Sequence, residues 1–185
     1  MLKLKYSTLA LAILMAAGFV FSGNVVAECE PGEERETMTG AVFTCDDSYP
    51  DLGEAWRDER GLIWGDTVKK SDGTVHLMNY NDAAAYCVSI GARLPTRAEF
   101  TSLREDMGAQ SGTFEGYSAQ VLPNLYYYWF WFLTVGPGNP DYAYFFDGKD
   151  GVFGHDYRDS LDAVRCVVSP GFSEIQKLKL SGAVK

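Results

Sequence analysis

Only two histidines occur in the 185 residues, His76 and His155, and neither lies near a cysteine in the sequence. That scarcity excludes a histidine cluster of the kind that iron- or zinc-dependent catalysis needs. Cys-x-x-Cys spacing is missing too, which removes a common structural zinc pattern. No Gly-x-Ser-x-Gly elbow is present, so Ser-His-Asp hydrolysis has no nucleophile turn to stand on. Basic residues are in deficit: 16 Lys and Arg against 25 Asp and Glu give a formal net charge of −9. Such an acidic chain is a poor non-specific partner for nucleic acid, an anionic membrane or a sulfated polysaccharide. The leading apolar run, from Thr8 to Phe21, falls short of the ~20 residues that a bilayer-spanning helix needs. No internal repeat is visible, and an enzyme is not expected.

The apolar run has a different use. Lys3 and Lys5 precede it, and Ser22-Gly23-Asn24-Val25-Val26-Ala27 follows with small or compact residues at the cleavage positions. Residues 1–27 therefore read as a secretory signal peptide cut after Ala27. Glu28 stands where a lipobox needs a small residue, which disfavours a lipid anchor on Cys29. Cleavage removes two lysines and no acid, so the exported part is more acidic still and remains long enough for one packed domain. The expected location is periplasmic or extracellular, with no stable membrane span once the leader is gone.

All four cysteines, Cys29, Cys45, Cys87 and Cys166, follow the leader. An even count in an oxidising compartment implies disulfides, and four cysteines allow three pairings. The favoured one is Cys29–Cys45 with Cys87–Cys166. The first closes a short N-terminal loop over an arm at residues 28–53. The second joins a helix to a terminal strand and staples a whole domain.

That helix is expected from about Tyr80 to Ile90, capped by Asn79 or Asn81 and stopped at Gly91. Ala83, Tyr86, Cys87 and Ile90 share its inward face. A second helix begins at Thr96, where Thr96-Arg97-Ala98-Glu99 matches a capping box, and ends near Met107-Gly108. Strands are expected at Gly61–Gly65, with Leu62 and Trp64 on one face, at Tyr126–Thr134, at Tyr142–Phe146 and at Val164–Val168. Met107–Pro123 and Gly136–Pro140 read as loops, and Asp147–Gly151 as a turn into Val152-Phe153. Residues 169–185 read as a mostly polar tail, in which Phe172, Ile175 and Leu178 suit a marginal helix.

Five ordered pieces resemble the Lcl C-terminal domain family, a module that closes a bacterial collagen-like adhesin. They are Gly61-Leu62-Ile63-Trp64 with Met78–Cys87, then Arg93–Phe100, then Trp131-Phe132-Leu133-Thr134 where the family often has Trp-Ser-Ser-Thr, then Tyr142–Gly148, and the ending Val164-Arg165-Cys166-Val167. The likeness covers about Glu54 to Val168, and residues 54–168 are taken as the domain. It implies an α+β, C-type-lectin-like fold: two helices packed on antiparallel sheets, with a long loop region and a disulfide from the first helix to the last strand. Formylglycine-generating enzymes are distantly similar, and share an Arg-Leu-Pro-Thr stretch. Their chemistry needs a reactive cysteine pair late in the domain, and Cys166 alone stands there.

Calcium-binding C-type lectins carry Glu-Pro-Asn or Gln-Pro-Asp in the long loop and Trp-Asn-Asp on a following strand. This chain has neither; Asn139-Pro140-Asp141 is a faint echo. Calcium takes six to eight oxygens. Asp141, Asp147, Asp150 and Asp156 are the candidates to supply some, but Asp147–Gly151 fits a plain hairpin turn equally well. The expectation is therefore no cofactor, with calcium the weaker alternative. Trp64, Trp129 and Trp131 are expected to fill the core, and Arg93 and Arg165 to pair with carboxylates or carbonyls. The remaining aromatic and acidic residues suit recognition, because Tyr and Trp bury area with few rotors. Asp141, Tyr142, Asp150, His155 and Asp156 are the candidate binding residues, on a loop side between about Gly136 and Asp159. The expected function is an exported, non-enzymatic module that binds an unidentified protein or glycan. The alternative is a structural part of an envelope assembly with no small ligand.

Overall fold

The structure, a computed structural model, describes residues 29–109, 114, 121–125, 127–135 and 139–170. The leader, most of the Met107–Pro123 loop, Tyr126, Gly136–Gly138 and the tail beyond Pro170 lie outside the described residues. Both helices form where their caps dictate. Helix α1 (Tyr80–Ser89) starts at Asn79, whose side chain accepts the Asp82 amide proton, and Asp82 in the first turn complements the helix dipole. Gly91, with φ +74°, takes the left-handed conformation just past its end. Helix α2 (Arg97–Asp106) has the reciprocal capping box of Thr96 and Glu99. Arg93 forks onto the Glu99 carboxylate and also reaches Ser169, which ties the start of α2 to the chain after the last strand.

The strands form two antiparallel sheets, so the fold is α+β. The larger sheet has the order β1 (Glu34–Glu36), β2 (Val42–Cys45), β3 (Trp56–Arg57), β4 (Ile63–Thr67) and β8 (Arg165–Val168). The smaller has the order β5 (Trp129–Val135), β6 (Tyr142–Asp147) and β7 (Phe153–Tyr157). The N-terminal arm is the outer hairpin of the larger sheet: β2 pairs with β3 through Cys45 opposite Trp56. Cys29–Cys45 and Cys87–Cys166 lie at disulfide distance, with Cα separations of 5.9 and 5.5 Å.

Strand β4 explains the core. Leu62 and Trp64 point to one side, towards Phe100, Leu103 and Val167. Ile63 points to the other, towards Ala83, Cys87, Val164 and Cys166. The period of two holds, but both faces are covered because β4 lies between β3 and β8 with a helix near each side. Arg165 is wholly buried where these layers meet. It donates to the carbonyls of Gly65 (2.6 Å) and Pro123 and to Thr67 Oγ1, with Asp66 3.6 Å away. Burial pulls its pKa down to about 10, so it stays charged at neutral pH and joins β4, β8 and the Val121–Leu125 segment.

Two strand expectations need correction. The aromatic strand starts at Trp129 rather than Tyr126, since Tyr127 has φ +63° and that left-handed backbone cannot continue a strand. No strand is expected beyond the turn into Val152-Phe153, yet β7 runs there from Phe153 to Tyr157. Gly154 interrupts the apolar alternation there, which hides the strand in the sequence.

Candidate binding surface

The register of the smaller sheet sorts its side chains onto two faces. Phe130 lies opposite Phe146, and Tyr142, Tyr144 and Phe146 lie opposite Tyr157, His155 and Phe153. Directly opposed residues share a face, so these rings form one continuous aromatic side. Its inner end is core: Phe100 of α2 stacks on Phe146 at 4.4 Å, and Phe132 packs edge-on against Phe153 at 5.7 Å. Its outer end emerges into solvent, where Tyr142 lies 4.5 Å from Tyr157 and 5.3 Å from His155 between ring centroids. The hydrogen bond with Tyr157 and nearby acids raise the Tyr142 pKa above the usual phenol value.

The opposite face carries Trp129, Trp131, Phe145, Ala143, Gly154 and Asp156. Trp131 is fully buried, donates its indole N–H to the Met78 carbonyl at 2.8 Å and meets Tyr80 edge-on. Trp129 behaves differently. Its indole lies flat on Phe145, with centroids 4.3 Å apart and planes 8° apart, and its N–H donates to Asp147 at 3.1 Å. Yet 45% of its surface is exposed. Trp64 and Trp131 fill the core as expected, and Trp129 does not. It is the first residue of β5, at the end of the strand, and the side of its indole away from Phe145 is left partly open to solvent. Gly154 makes room for the stack, since a Cβ there would lie 2.3 Å from the Phe145 ring.

The five candidate residues are distributed rather than gathered. Asp141 is exposed just before β6, donates its amide to Asn139 Oδ1 and accepts from the Arg158 amide. Tyr142 and His155 meet on the aromatic side. Asp156 lies opposite Ala143, on the other face. Asp150 is in the β6–β7 turn, where its amide donates to Asp147 Oδ1. The length of β6 separates Asp141 from Asp150 by roughly 20 Å at strand rise. Among the described residues no group of three or more His, Cys, Asp or Glu side chains is placed to hold a metal ion, so the aspartates weighed for calcium are not brought together. Gly136–Gly138, at the start of the expected loop side, lie outside the described residues.

Asp162, which the sequence reading did not single out, is the most perturbed acid of this region. It precedes the segment in which Ala163 bonds to the backbones of Trp129 and Trp131, and its own backbone pairs with Met78. Its side chain is buried, and Oδ2 has no hydrogen-bond partner among the described residues. Burial, with the nearby Asp156 charge, raises its pKa to about 7. Arg158 does not neutralise it: that guanidinium donates to Asn81 and to the Pro140 carbonyl and lies over the Tyr80 ring. Nothing in local sequence pattern distinguishes Asp162 from a loop aspartate.

Exposure also singles out this sheet. Of nine large exposed apolar or aromatic side chains among the described residues, six belong to it or its flank: Tyr127, Tyr128, Trp129, Leu133, Tyr157 and Leu161. Two shallow pockets lie elsewhere, one of about 190 Å3 beside Leu52, Val68 and Tyr86, the other of about 230 Å3 beside Arg60, Glu99 and Pro170. Neither contains a candidate residue. The sheet surface is the stronger candidate, because it concentrates large rings left exposed to solvent. In comparisons with family models, curated proteins and solved structures, the chain matches none.

Proposed function

We propose that this chain is an exported, non-enzymatic recognition module with a C-type-lectin-like arrangement, and that it binds a protein or glycan ligand through the β5–β7 sheet. The observation that carries this reading is the grouping of Tyr142, His155 and Tyr157 on one face and Trp129 on the other, all with surface left open to solvent. A fold needs its aromatics buried, and aromatics held rigidly at a surface suit contact with a partner. The lectin-like reading is supported by two helices on antiparallel sheets and by a disulfide from the first helix to the last strand, together with the resemblance over residues 54–168. Export is supported by the leader pattern and by two disulfides, which persist in oxidising compartments. Among the described residues no helix is long and apolar enough to cross a membrane.

The test is a glycan array and a panel of envelope proteins probed with the purified full chain and with Tyr142→Ala, His155→Ala and Tyr157→Ala. The reading expects a ligand whose binding weakens in at least one variant, while Val88→Ala and Glu105→Ala on the outward helix faces leave it unchanged. Binding abolished by the helix variants alone would move the site to the helices. A structural role would show instead as incorporation into an assembly with no ligand captured by the isolated chain.

A further inference from the structure

The two sheets have four outer strands, and three of these are closed or blunted. Strand β1 is short and carries Glu34, Arg35 and Glu36. The outer side of β8 is bridged by Arg93, which exchanges backbone bonds with Val167. Strand β5 is covered by Ala163, which bonds to Trp129 and Trp131, and by Pro95, whose carbonyl accepts from Leu133. Such devices keep unpaired edges from recruiting other chains. Strand β7 is the exception. Its register with β6, continued by bonds from Asp147 to Val152 and from Arg158 to Asp141, turns the backbone groups of Gly154 and Asp156 inward. Those of Phe153, His155 and Tyr157 therefore point outward. Tyr157 is served locally: its amide donates to Asp156 Oδ1, and its carbonyl accepts from the Ser160 amide. The N–H and C=O groups of Phe153 and His155 have no partner among the described residues, and His155 is exposed.

Basic side chains stand beside this open stretch. Arg97, Phe100 and Arg104 share one face of α2. While Phe100 stacks on Phe146 of β6, the guanidinium groups of Arg97 and Arg104 lie over the Phe153 ring of β7, 4.8 and 5.6 Å from its centroid. Arg104 also donates to the Gly151 carbonyl, which holds it at the start of the edge. Neither arginine has an ion pair among the described residues, although the chain carries a formal net charge of −9. Asp147 and Asp156 do not supply one, since both project from the opposite face of the sheet. An added strand would lie about 4.8 Å outside β7. Its residue opposite Phe153 would share the aromatic side and stand beside the two arginines, a position that suits a carboxylate. Its residue opposite His155 would meet the open rings of His155 and Tyr142, which suits an apolar or aromatic side chain.

We propose that β7 accepts an extended segment of a partner protein as a fourth antiparallel strand, held by the backbones of Phe153 and His155 and by a carboxylate of that segment on Arg97 and Arg104. The inference rests on the recognition reading given above and deepens it by naming the partner as an extended acidic polypeptide. In an antiparallel strand the residue opposite His155 comes two places before the residue opposite Phe153, so the recognised order is apolar-x-acid. A second copy of this chain is a poorer occupant. Pairing β7 with itself about His155 would set Phe153 against Tyr157, whose backbone groups are already engaged. A glycan has no backbone ladder to offer the edge.

The test uses the full chain expressed in an exporting bacterial host, with calorimetry and amide hydrogen exchange as readouts. The probes are the capped heptapeptide Thr-Thr-Tyr-Thr-Glu-Thr-Thr and its counterparts with glutamine or lysine in place of glutamate. The glutamate peptide should bind and should slow exchange of the Phe153 and His155 amides. Glutamine should weaken binding about threefold, and lysine more. His155→Pro should weaken it about tenfold or more, because it removes an outward N–H of the edge. Proline is tolerated on an edge strand where the N–H faces solvent, and His155→Ala, which keeps the backbone groups, should bind more tightly than His155→Pro. Arg97→Glu should abolish the preference for glutamate while suiting the first turn of α2, so the variant should remain folded. Binding that ignores the peptide charge, or equal losses in His155→Pro and His155→Ala, would overturn the inference. So would a dimer in sedimentation that His155→Pro disperses, since the occupant would then be a second copy. No response to the peptides, with a ligand on the arrays that depends on Tyr142 or Tyr157, would overturn it while leaving the recognition reading intact. Failure of every probe here and on the arrays would remove both.

Discussion

The two sheets are built from similar residues but use them in opposite ways. The larger sheet buries its central strands on both sides: Ile63, Trp64, Cys166, Val167 and Val168 are all nearly or fully inaccessible. It holds one of the two disulfides within its outer hairpin, is joined by the other to α1, and is locked by Arg165. The smaller sheet buries only its inner half. Phe130, Trp131, Phe132 and Phe146 are enclosed, whereas Trp129, Tyr157 and His155 reach solvent. Its turn and flanking loop are lined with aspartates. Sites are carried by such partly exposed elements on a rigid frame, since full burial commits a side chain to stability. On the function proposed above, exposed aromatics rather than aromatics as such separate recognition from packing.

The disulfides give the largest expected effect. In the loop-entropy account, removal of Cys87–Cys166 by paired alanine substitution costs about 4 kcal/mol, and removal of Cys29–Cys45 about 3 kcal/mol. Urea unfolding of the two variants checks the order. If the outer hairpin bond mattered more, the tie between α1 and the last strand would not be the main staple of the frame described here. Arg165→Ala should come next, at about 3 kcal/mol, because it strips donors from the Gly65 and Pro123 carbonyls and opens a cavity. A thermal melt with less than a tenth of that loss would show that the guanidinium does not lock the layers.

Asp162 supplies a prediction of opposite sign. Its folded pKa, about 7, lies above the ordinary carboxylate value of 3.8. The folded state therefore binds the proton more tightly. Stability from this group is greatest below about pH 4 and declines as pH rises through 7. Asp162→Asn should stabilise the chain by about 2 kcal/mol at pH 8, a gain that vanishes near pH 4. Melting temperatures across that range decide it, and a gain independent of pH would contradict the assignment. The smallest stability effects belong to exposed positions on the smaller sheet. Asp141→Ala and His155→Ala should each change stability by no more than about 0.5 kcal/mol, so that any loss of ligand binding reports on the surface itself. A loss near 2 kcal/mol at either would place that residue in the frame.

Much of the frame was legible in the sequence because its signals are local or patterned. Asn79, Thr96 and Glu99 set the helix starts through caps that depend on a few neighbouring residues. The 2-residue period of Leu62 and Trp64 gave β4 its faces. The surface was less legible. Trp129 and Trp131 follow the same alternation, and only their tertiary surroundings separate them: Trp131 is enclosed against Met78 and Tyr80, whereas Trp129 stands at the start of β5. Gly154 looks like a strand breaker until the Phe145 ring is seen above it. Asp162 is an ordinary loop residue by pattern, and its burial goes with its backbone pairing to Met78 and the attachment of its neighbour Ala163 to the β5 backbone, both distant in sequence. Tertiary placement decided these cases, and no window of adjacent residues contains it.

The central claim is that the smaller sheet recognises a partner while the larger one holds the fold. Its most direct test compares one combined variant, Trp129→Ala with Tyr142→Ala, His155→Ala and Tyr157→Ala, with a control that carries Ala85→Ser, Val88→Ala and Glu105→Ala on the exposed helix faces. Both would be measured against the ligand found on the arrays, with intact disulfides confirmed by non-reducing peptide mapping. The account predicts that the sheet variant loses at least about tenfold in affinity, as removal of a few contact aromatics should produce, and that the control binds as the unmodified chain does. Full affinity in the sheet variant and loss in the control would contradict it.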